Sequence, residues 1–144
     1  MLFERLLDVR EEANLKQNEM AEILKTTQSN YSRWEKGKEI IPLVKLNLLC
    51  NYFNVSMDYM IGLTRKEEGN GKHTLDPKLI GFRLKTTRKK NFDTQVDLAN
   101  FLKTSQSTVS AYERGKTLLL TAFAIQIVER YNISLDWLCG RKKV

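Results

Sequence analysis

The 144-residue sequence has one histidine, two cysteines and two prolines, and it has no long apolar run. A lone histidine, His73, and two cysteines without C-x-x-C spacing provide neither a zinc ligand set nor a nucleophile–base pair. No apolar stretch approaches the roughly 18 residues that a membrane-spanning helix needs. The charges of Glu4 and Arg5 come too early for a secretory signal. We therefore expect a soluble, cytoplasmic protein with no catalytic residues, no metal and no cofactor.

The two cysteines, Cys50 and Cys139, each lie within an apolar pattern. Such cysteines behave as small hydrophobic side chains, and unbridged thiols persist in a reducing compartment. The pattern predicts two buried thiols without a disulfide. A hydrophobic content of 42% is that of a globular chain rather than a disordered one.

The formal charge is +7 and the pI is near 9.5, but the charge is unevenly distributed. Residues 1–66 carry 10 Lys/Arg against 9 Asp/Glu, residues 67–76 carry 1 against 3, and residues 77–144 carry 13 against 5. A basic excess favours a polyanionic partner, although charge alone also fits a membrane surface. Residues 77–144 are therefore the part of the chain suited to such a partner.

An internal repeat organises the whole chain. Residues 25–37, Lys-Thr-Thr-Gln-Ser-Asn-Tyr-Ser-Arg-Trp-Glu-Lys-Gly, match residues 103–115, Lys-Thr-Ser-Gln-Ser-Thr-Val-Ser-Ala-Tyr-Glu-Arg-Gly, at an offset of 78. The match runs without a gap from Arg5/Arg83 to Gly62/Gly140. An ungapped self-match of this length indicates a duplicated domain. Two copies of one small domain are therefore expected.

Apolar periodicity and capping residues predict five helices in each copy and no strand. In the first copy we expect helices over 2–13 and 17–24, a third between the cap Thr27 and the stop Gly37, a fourth starting at Pro42, and a short fifth from Ser56 to Met60. Residues 64–76 are polar and contain glycines, as flexible linkers do. The predicted architecture is all-α, with domains at 1–63 and 77–144 joined by a linker at 64–76.

The third predicted helix has an inward aromatic pair, Tyr31 and Trp34, and an outward polar face. The outward residues are Gln28, Ser29, Asn30, Ser32 and Arg33. Glutamine can bond adenine through two atoms, and arginine can do the same with guanine. A solvated surface would explain one such face, but the recurrence of Gln-Ser at 106–107 favours base reading.

The succession of helix two, a tight turn and a polar helix three describes a helix-turn-helix. It resembles the lambda-repressor-like (Cro/C1-type, Xre) family of DNA-binding regulators. The first copy carries the resemblance in Gln17, Ala21, Gln28-Ser29, Trp34-Glu35-Lys36-Gly37-Lys38 and Val55-Ser56-Met57-Asp58-Tyr59-Met60-Ile61-Gly62. The second carries it in Gln95, Ala99, Gln106-Ser107, Tyr112-Glu113-Arg114-Gly115-Lys116 and Ile133-Ser134-Leu135-Asp136-Trp137-Leu138. The two copies cover about 85% of the chain.

The residues and the resemblance together give a set of expected contacts to double-stranded DNA. In the first copy these are Gln17, Thr27, Gln28, Ser29, Asn30, Ser32, Arg33, Lys36 and Lys38. In the second they are Lys89, Lys90, Gln95, Ser105, Gln106, Ser107, Thr108, Ser110, Arg114 and Lys116. Gln17 and Gln95 open helix two, where unpaired backbone N–H groups suit a phosphate; a plain helix-start role is the alternative. For Lys89 and Lys90 an ordinary solvated face is equally acceptable.

The resemblance also implies structural roles. Arg10 with Glu35, and Arg88 with Glu113, should form salt bridges that tie helix one to the end of helix three. Members of the family often dimerise through the fifth helix, which implies a possible homodimer through Tyr59 and Met60 or Trp137 and Leu138.

One departure from the family pattern is shared by both copies. The family has glycine at the turn between helices two and three, where φ is positive, whereas this chain has Lys25 and Lys103. A non-glycine residue in that conformation costs roughly 1–2 kcal/mol unless the turn is rebuilt. The departure leaves the angle between the two helices open and does not change the motif.

Two functions remain open at the level of sequence. The first is a sequence-specific transcriptional regulator, a repressor of bacterial or phage type. The alternative is a protein-interaction or dimerisation module of antitoxin or phage-immunity type, in which one copy no longer binds DNA. The first copy, with its acidic residues Glu11, Glu12, Glu19 and Glu22, is the better candidate for such a loss.

Overall fold

The computed structural model describes residues 2–144, which form ten α-helices and no β-strand. The helices are α1 Leu2–Glu12, α2 Gln17–Ile23, α3 Gln28–Glu35, α4 Leu43–Phe53, α5 Met57–Met60, α6 Pro77–Lys90, α7 Gln95–Leu102, α8 Gln106–Glu113, α9 Thr121–Tyr131 and α10 Leu135–Leu138. The all-α prediction is confirmed, with five helices in each copy.

The helices divide into two units, Met1–Lys72 and His73–Val144. Their backbones repeat the 78-residue offset in detail, because every left-handed residue between positions 14 and 62 has a left-handed partner 78 positions later. The pairs are Asn14/Phe92, Lys25/Lys103, Gly37/Gly115, Asn54/Asn132 and Gly62/Gly140. The duplication therefore extends from sequence to the conformation of each turn.

In each unit the recognition-type helix, α3 or α8, rests on the helix before it and on the first helix of the unit. In the first unit Leu6, Met20, Leu24 and Tyr31 are fully buried. The rings of Tyr31 and Trp34 meet edge to face with centroids 6.3 Å apart. The inward aromatic pair predicted from spacing is thus part of the core, which leaves the polar side of α3 outward.

The helix starts are largely those that the caps predicted. The hydroxyl of Thr27 accepts from the N–H of Asn30 at 3.1 Å, and that of Ser105 accepts from Thr108 at 3.2 Å. Pro42 is an exception, since it precedes α4 as the N-cap with extended backbone (ψ 148°) and is not the first helical residue. Lys16 offers no side-chain cap, but its N–H donates to the Glu19 carboxylate at 2.9 Å.

The predicted linker is partly bound to the first unit. The N–H of Ser56 donates to the carbonyl of Glu67 at 3.0 Å, and the N–H of Gly69 donates to Asn54 at 2.9 Å. The Tyr59 hydroxyl also donates to the Glu67 carboxylate at 3.2 Å. Residues 67–69 of the predicted linker therefore pair with the backbone between α4 and α5, and the flexibility of 64–76 stays a prediction.

Both cysteines are buried and neither forms a disulfide, as predicted. Within residues 2–144 no cluster of histidine, cysteine and carboxylate side chains could hold a metal ion. None of the helices in the same range combines the length and apolar character needed to cross a bilayer.

The lysines at the two helix-turn-helix turns keep the left-handed conformation, with φ of 55° at Lys25 and 58° at Lys103. Because glycine adopts this conformation without a Cβ clash, Lys25→Gly and Lys103→Gly should each raise the free energy of unfolding by about 0.5–1 kcal/mol. Urea unfolding followed by Trp34 fluorescence reports the first unit, and Trp137 reports the second.

Lys85→Gly is the matched control, since Lys85 lies inside α6. Glycine in a helix interior should lower the stability of the second unit by about 1 kcal/mol. If Lys103→Gly lowered the free energy of unfolding as much as Lys85→Gly does, the left-handed conformation of Lys103 would not be a source of strain.

Candidate nucleic-acid interface

The outward face of α3 presents a continuous set of polar side chains. Gln28 and Ser29, in its first turn, are exposed, and Asn30, Ser32 and Arg33 are partly exposed. Thr27 lies at the cap, where its hydroxyl is engaged with the backbone. The structure thus brings the predicted α3 residues to one side of a short helix whose other side is buried.

Arg33 is already held by its neighbours. Its guanidinium donates to the Ser29 hydroxyl at 2.9 Å and to the Asn30 side-chain oxygen, and its Nε lies 3.0 Å from the Glu39 carboxylate. A contact with a guanine would therefore exchange internal hydrogen bonds for intermolecular ones. This arrangement orders the α3 face but reduces the net gain from Arg33.

The corresponding face of α8 has the same start and a different end. Gln106 and Ser107 are exposed, and Ala111 occupies the position of Arg33. The Ser105 hydroxyl lies 3.0 Å from that of Ser107 and 2.8 Å from that of Thr108. The α8 face is therefore a hydroxyl and amide surface without a guanidinium.

A bidentate ion pair supports each of these helices from behind. In the first unit Arg10 donates to both oxygens of Glu35, at 2.9 and 2.8 Å. In the second unit Arg88 donates to both oxygens of Glu113, at 2.6 and 2.9 Å. Each pair joins the first helix of the unit to the last residue of the recognition-type helix.

The third nitrogen of each guanidinium fixes the loop before helix two. Arg10 Nη1 donates to the carbonyl of Leu15 at 2.9 Å, and Arg88 Nη1 donates to that of Asp93 at 2.7 Å. One arginine thus positions both the start of helix two and the end of helix three, which are the two elements of a helix-turn-helix.

The pair in the first unit remains ionised. Burial raises the pKa of Glu35, but hydrogen bonds from Arg10 and Gln17 outweigh it and hold that pKa below its usual value. The hydrogen bond to Glu35 raises the pKa of Arg10, and the hydrogen bond to Glu113 raises that of Arg88. The charge-assisted bonds are therefore formed at neutral pH.

The glutamines that open helix two are attached to these pairs. Gln17 Nε2 donates to Glu35 at 3.2 Å, and Gln95 Nε2 donates to Glu113 at 3.1 Å. Gln106 Nε2 in turn donates to Gln95 Oε1 at 3.4 Å. An amide nitrogen has two hydrogens, so each glutamine keeps one for an outside acceptor. In the second unit the buried ion pair is linked through Gln95 to the first residue of α8.

The predicted cationic contacts all lie at the surface. The exposed side chains are Lys36, Lys38, Lys89, Lys90, Arg114 and Lys116. Counted on the structural units, Met1–Lys72 has 11 Lys/Arg against 11 Asp/Glu, and His73–Val144 has 13 against 6. The whole net positive charge belongs to the second unit.

The fifth helices offer little surface for a second copy. Tyr59, Met60 and Leu138 are buried, and only Trp137 among the four residues named for dimerisation is partly exposed. The Arg5 guanidinium lies 3.9 Å from the centroid of the Tyr59 ring, and the Tyr59 hydroxyl donates to the Glu67 carboxylate. Contacts within the chain already cover Tyr59, Met60 and Leu138, and dimerisation through the fifth helices stays a prediction.

A cluster of polar side chains in the second unit has no signal in the sequence. Arg130 donates to both carboxylate oxygens of Asp93, at 2.8 and 3.2 Å, and the Tyr131 hydroxyl donates to the same group at 2.8 Å. The hydrogen bond from Arg130 holds the pKa of Asp93 below its usual range. Because 37 residues separate Asp93 from Arg130, no local pattern indicated the contact. The cluster anchors the loop that precedes α7.

The ion pair between the first helix and the end of the recognition-type helix should stabilise each unit strongly. Arg10→Ala should cost about 3 kcal/mol and Arg88→Ala at least as much, because each leaves a buried carboxylate unpaired. The Arg88–Glu113 side chains are 7% and 2% exposed, against 17% and 7% for the other pair. In a double-mutant cycle the combined loss should be much smaller than the sum of the single losses.

The exposed pair Arg33–Glu39, with side chains 40% and 54% accessible, is the matched control. Its cycle should give less than about 1 kcal/mol of coupling. Additive losses at Arg88 and Glu113 would show that the two residues do not interact in solution.

Comparison with known proteins agrees with this geometry. Residues 3–66 match a family model described as a helix-turn-helix domain, and residues 84–138 match a second one described as helix-turn-helix. The chain is 34% identical over 64 residues to the uncharacterized HTH-type transcriptional regulator YobD of Bacillus subtilis (strain 168). That match covers 44% of this chain and 57% of the relative's length. No solved structure matches the chain. The chain carries two helix-turn-helix domains of Cro/C1 (Xre) type in tandem.

Proposed function

We propose that this protein is a cytoplasmic, sequence-specific transcriptional repressor that reads the major groove of double-stranded DNA with α3 and α8. The observation that supports it is a short helix with a buried inner side and an amide-rich outer side, present in both units. Each such helix is held at its end by an ion pair that also fixes the preceding helix. Rigid support of this kind suits a surface that must match a fixed pattern of base edges.

Base reading is assigned to the outward residues of the two helices. These are Gln28, Ser29, Asn30, Ser32 and Arg33 in α3, and Gln106, Ser107, Thr108 and Ser110 in α8. Gln17, Gln95, the cap residues Thr27 and Ser105, and the exposed lysines and Arg114 are assigned to phosphates, which set orientation without reading sequence. The role requires no catalytic residue, metal or cofactor.

The two units should contribute unequally. The second unit carries the whole net charge, and phosphate neutralisation supplies much of the affinity for DNA. The first unit is neutral, but its Arg33 offers a guanine contact that Ala111 cannot make. We infer that the second unit provides most of the affinity and that the half-sites of the two units differ in sequence.

The neutral first unit also supports a second candidate function. A helix-turn-helix unit with 11 basic and 11 acidic residues, and with Arg33 engaged by Ser29, Asn30 and Glu39, has less to offer a polyanion. In this alternative the first unit holds a protein partner, and only the second binds DNA.

The base-reading role of the glutamines is tested by substitution. Gln106→Ala and Gln28→Ala should each weaken binding to a selected operator by roughly 1–3 kcal/mol, while affinity for random duplex DNA barely changes. Lys89→Ala should lower both affinities and flatten the dependence on salt. Titrations on the two duplexes at several salt concentrations measure these effects. Undiminished operator binding by Gln106→Ala would remove that residue from the set of base readers.

The tandem arrangement predicts an asymmetric, bipartite operator. Helix-turn-helix pairs commonly meet successive major grooves about 34 Å apart. All thirteen residues of 64–76 would reach at most about 43–47 Å, but the seven beyond Gly69 reach about 23–25 Å. With 67–69 bound to the first unit the tether is short, so the spacing between half-sites should be tightly restricted.

Footprinting of the full chain on a selected operator tests this arrangement. Two protected groove segments are expected, and deletion of six residues within 70–76 should remove the first unit's segment while leaving the second. As a control, six glycine and serine residues are inserted in place of the deleted ones. This variant should regain protection of the first unit's segment, with a weaker dependence on the spacing between half-sites. Protection of a single segment that does not change when Gln28 and Arg33 are both replaced by Ala would favour the interaction-module alternative.

A further inference from the structure

Phe92 lies in the loop between α6 and α7 in an unfavourable setting. Its side chain is 92% exposed, and among the large hydrophobic residues of 2–144 only Val144 is more so. Its backbone is left-handed, with φ of 60°. Bulky side chains rarely adopt this conformation, because Cβ approaches the following carbonyl oxygen. Phe92 therefore combines backbone strain with exposed apolar surface, and neither feature stabilises the fold of its own unit.

The duplicated unit shows which residue suits this backbone. Asn14 occupies the equivalent position with φ of 55°, and asparagine tolerates the left-handed region. At the other two non-glycine left-handed pairs, Lys25/Lys103 and Asn54/Asn132, both copies have the same residue. The pair Asn14/Phe92 is where the copies differ. A strained residue that the fold does not require points to a role outside the fold.

The surroundings of Phe92 are basic. It follows Lys89 and Lys90 at the end of α6, and its N–H donates to the Lys89 carbonyl at 3.0 Å. The neighbouring Asp93 carboxylate is paired with Arg130, and the Asp97 carboxylate accepts from the Thr94 N–H in the capping box. An exposed aromatic ring that follows two lysines, with the nearby carboxylates engaged within the chain, fits a partner that alternates negative charge with apolar surface, as the deoxyribose and phosphate groups of a DNA strand do.

We propose that Phe92 is a DNA-backbone contact, with its ring packed on a deoxyribose beside a phosphate that Lys89 and the first turn of α7 reach. This inference rests on the proposed DNA-binding function of the second unit. The contact does not read bases, so it strengthens binding to operator and to random duplex alike. It also adds to the basic charge in making the second unit the stronger binder.

Phe92→Asn in the full chain tests this role, because it installs the residue that the first unit uses. The second unit should become more stable to urea by Trp137 fluorescence, since asparagine suits the backbone. Affinity for a selected operator and for a random duplex should fall by about fivefold to tenfold in each case, the loss expected for an apolar contact. The slope of log affinity against log salt should not change, because no phosphate-neutralising charge is lost. Lys89→Gln should instead reduce that slope by about one.

Phe82 provides the matched control, since it is an exposed phenylalanine on α6 with ordinary helical backbone. Phe82→Ala should leave both affinities unchanged. A photoreactive benzoylphenylalanine at position 92 should crosslink to duplex DNA, and the same residue at position 82 should not.

The results separate this contact from the proposed function. Unchanged affinity of Phe92→Asn for both duplexes, or equal crosslinking at 82 and 92, would overturn the role of Phe92 while DNA binding by the parent chain stands. Failure of the parent chain to bind either duplex would overturn both.

Discussion

The ion pair between the first helix and the end of the recognition-type helix is the interaction on which each unit depends. A guanidinium has a planar fork of donors that can bond both oxygens of a carboxylate and still reach a third acceptor. Arg88 uses all of this capacity, on Glu113 and on the carbonyl of Asp93. Three segments that are distant in sequence are thereby fixed at one point. A lysine could not hold them, since its single nitrogen lacks the fork.

Glutamine side chains connect this ion pair to the surface by hydrogen bonds. Glu113 accepts from Gln95, and Gln95 accepts from Gln106 at the start of α8. In the first unit the chain of bonds passes from Glu35 to Gln17. A base-reading side chain gains specificity when its position is fixed before binding. The proposed reading face of the second unit is therefore connected by hydrogen bonds to the buried Arg88–Glu113 pair.

The two units show how one backbone can carry two different surfaces. The left-handed turns coincide at every repeated position, yet the positive charge, the Asp93–Arg130–Tyr131 cluster and Phe92 belong to the second unit alone. In the first unit Leu15, Tyr52 and Phe53 stand at the positions of Asp93, Arg130 and Tyr131, and Asn14 stands at that of Phe92. Substitutions on the outside of a small helical domain leave the core packing intact, so the units can diverge in binding without diverging in fold.

The sequence by itself determined the duplication, the all-α class, the order of the helices and the inward direction of Tyr31 and Trp34. These features depend on local periodicity, on capping hydroxyls and on a 78-residue offset, all of which are visible in the order of residues. The Arg–Glu pairs came from the family resemblance rather than from spacing, since 25 residues separate the partners. Their bidentate geometry and the third bond to the loop carbonyl follow only from packing α1 against α3, or α6 against α8.

Only the tertiary structure decided which polar groups are already engaged and which surfaces are covered. It paired 67–69 with the backbone between α4 and α5, so that these residues do not add to the free length between the two units. It buried Tyr59, Met60 and Leu138, which an amphipathic reading of a four-residue helix could not foresee. It also tied Arg33 to Ser29, Asn30 and Glu39. Each of these outcomes depends on contacts between segments that are distant in sequence. Packing of the core brings these segments together, and local sequence patterns do not indicate such contacts.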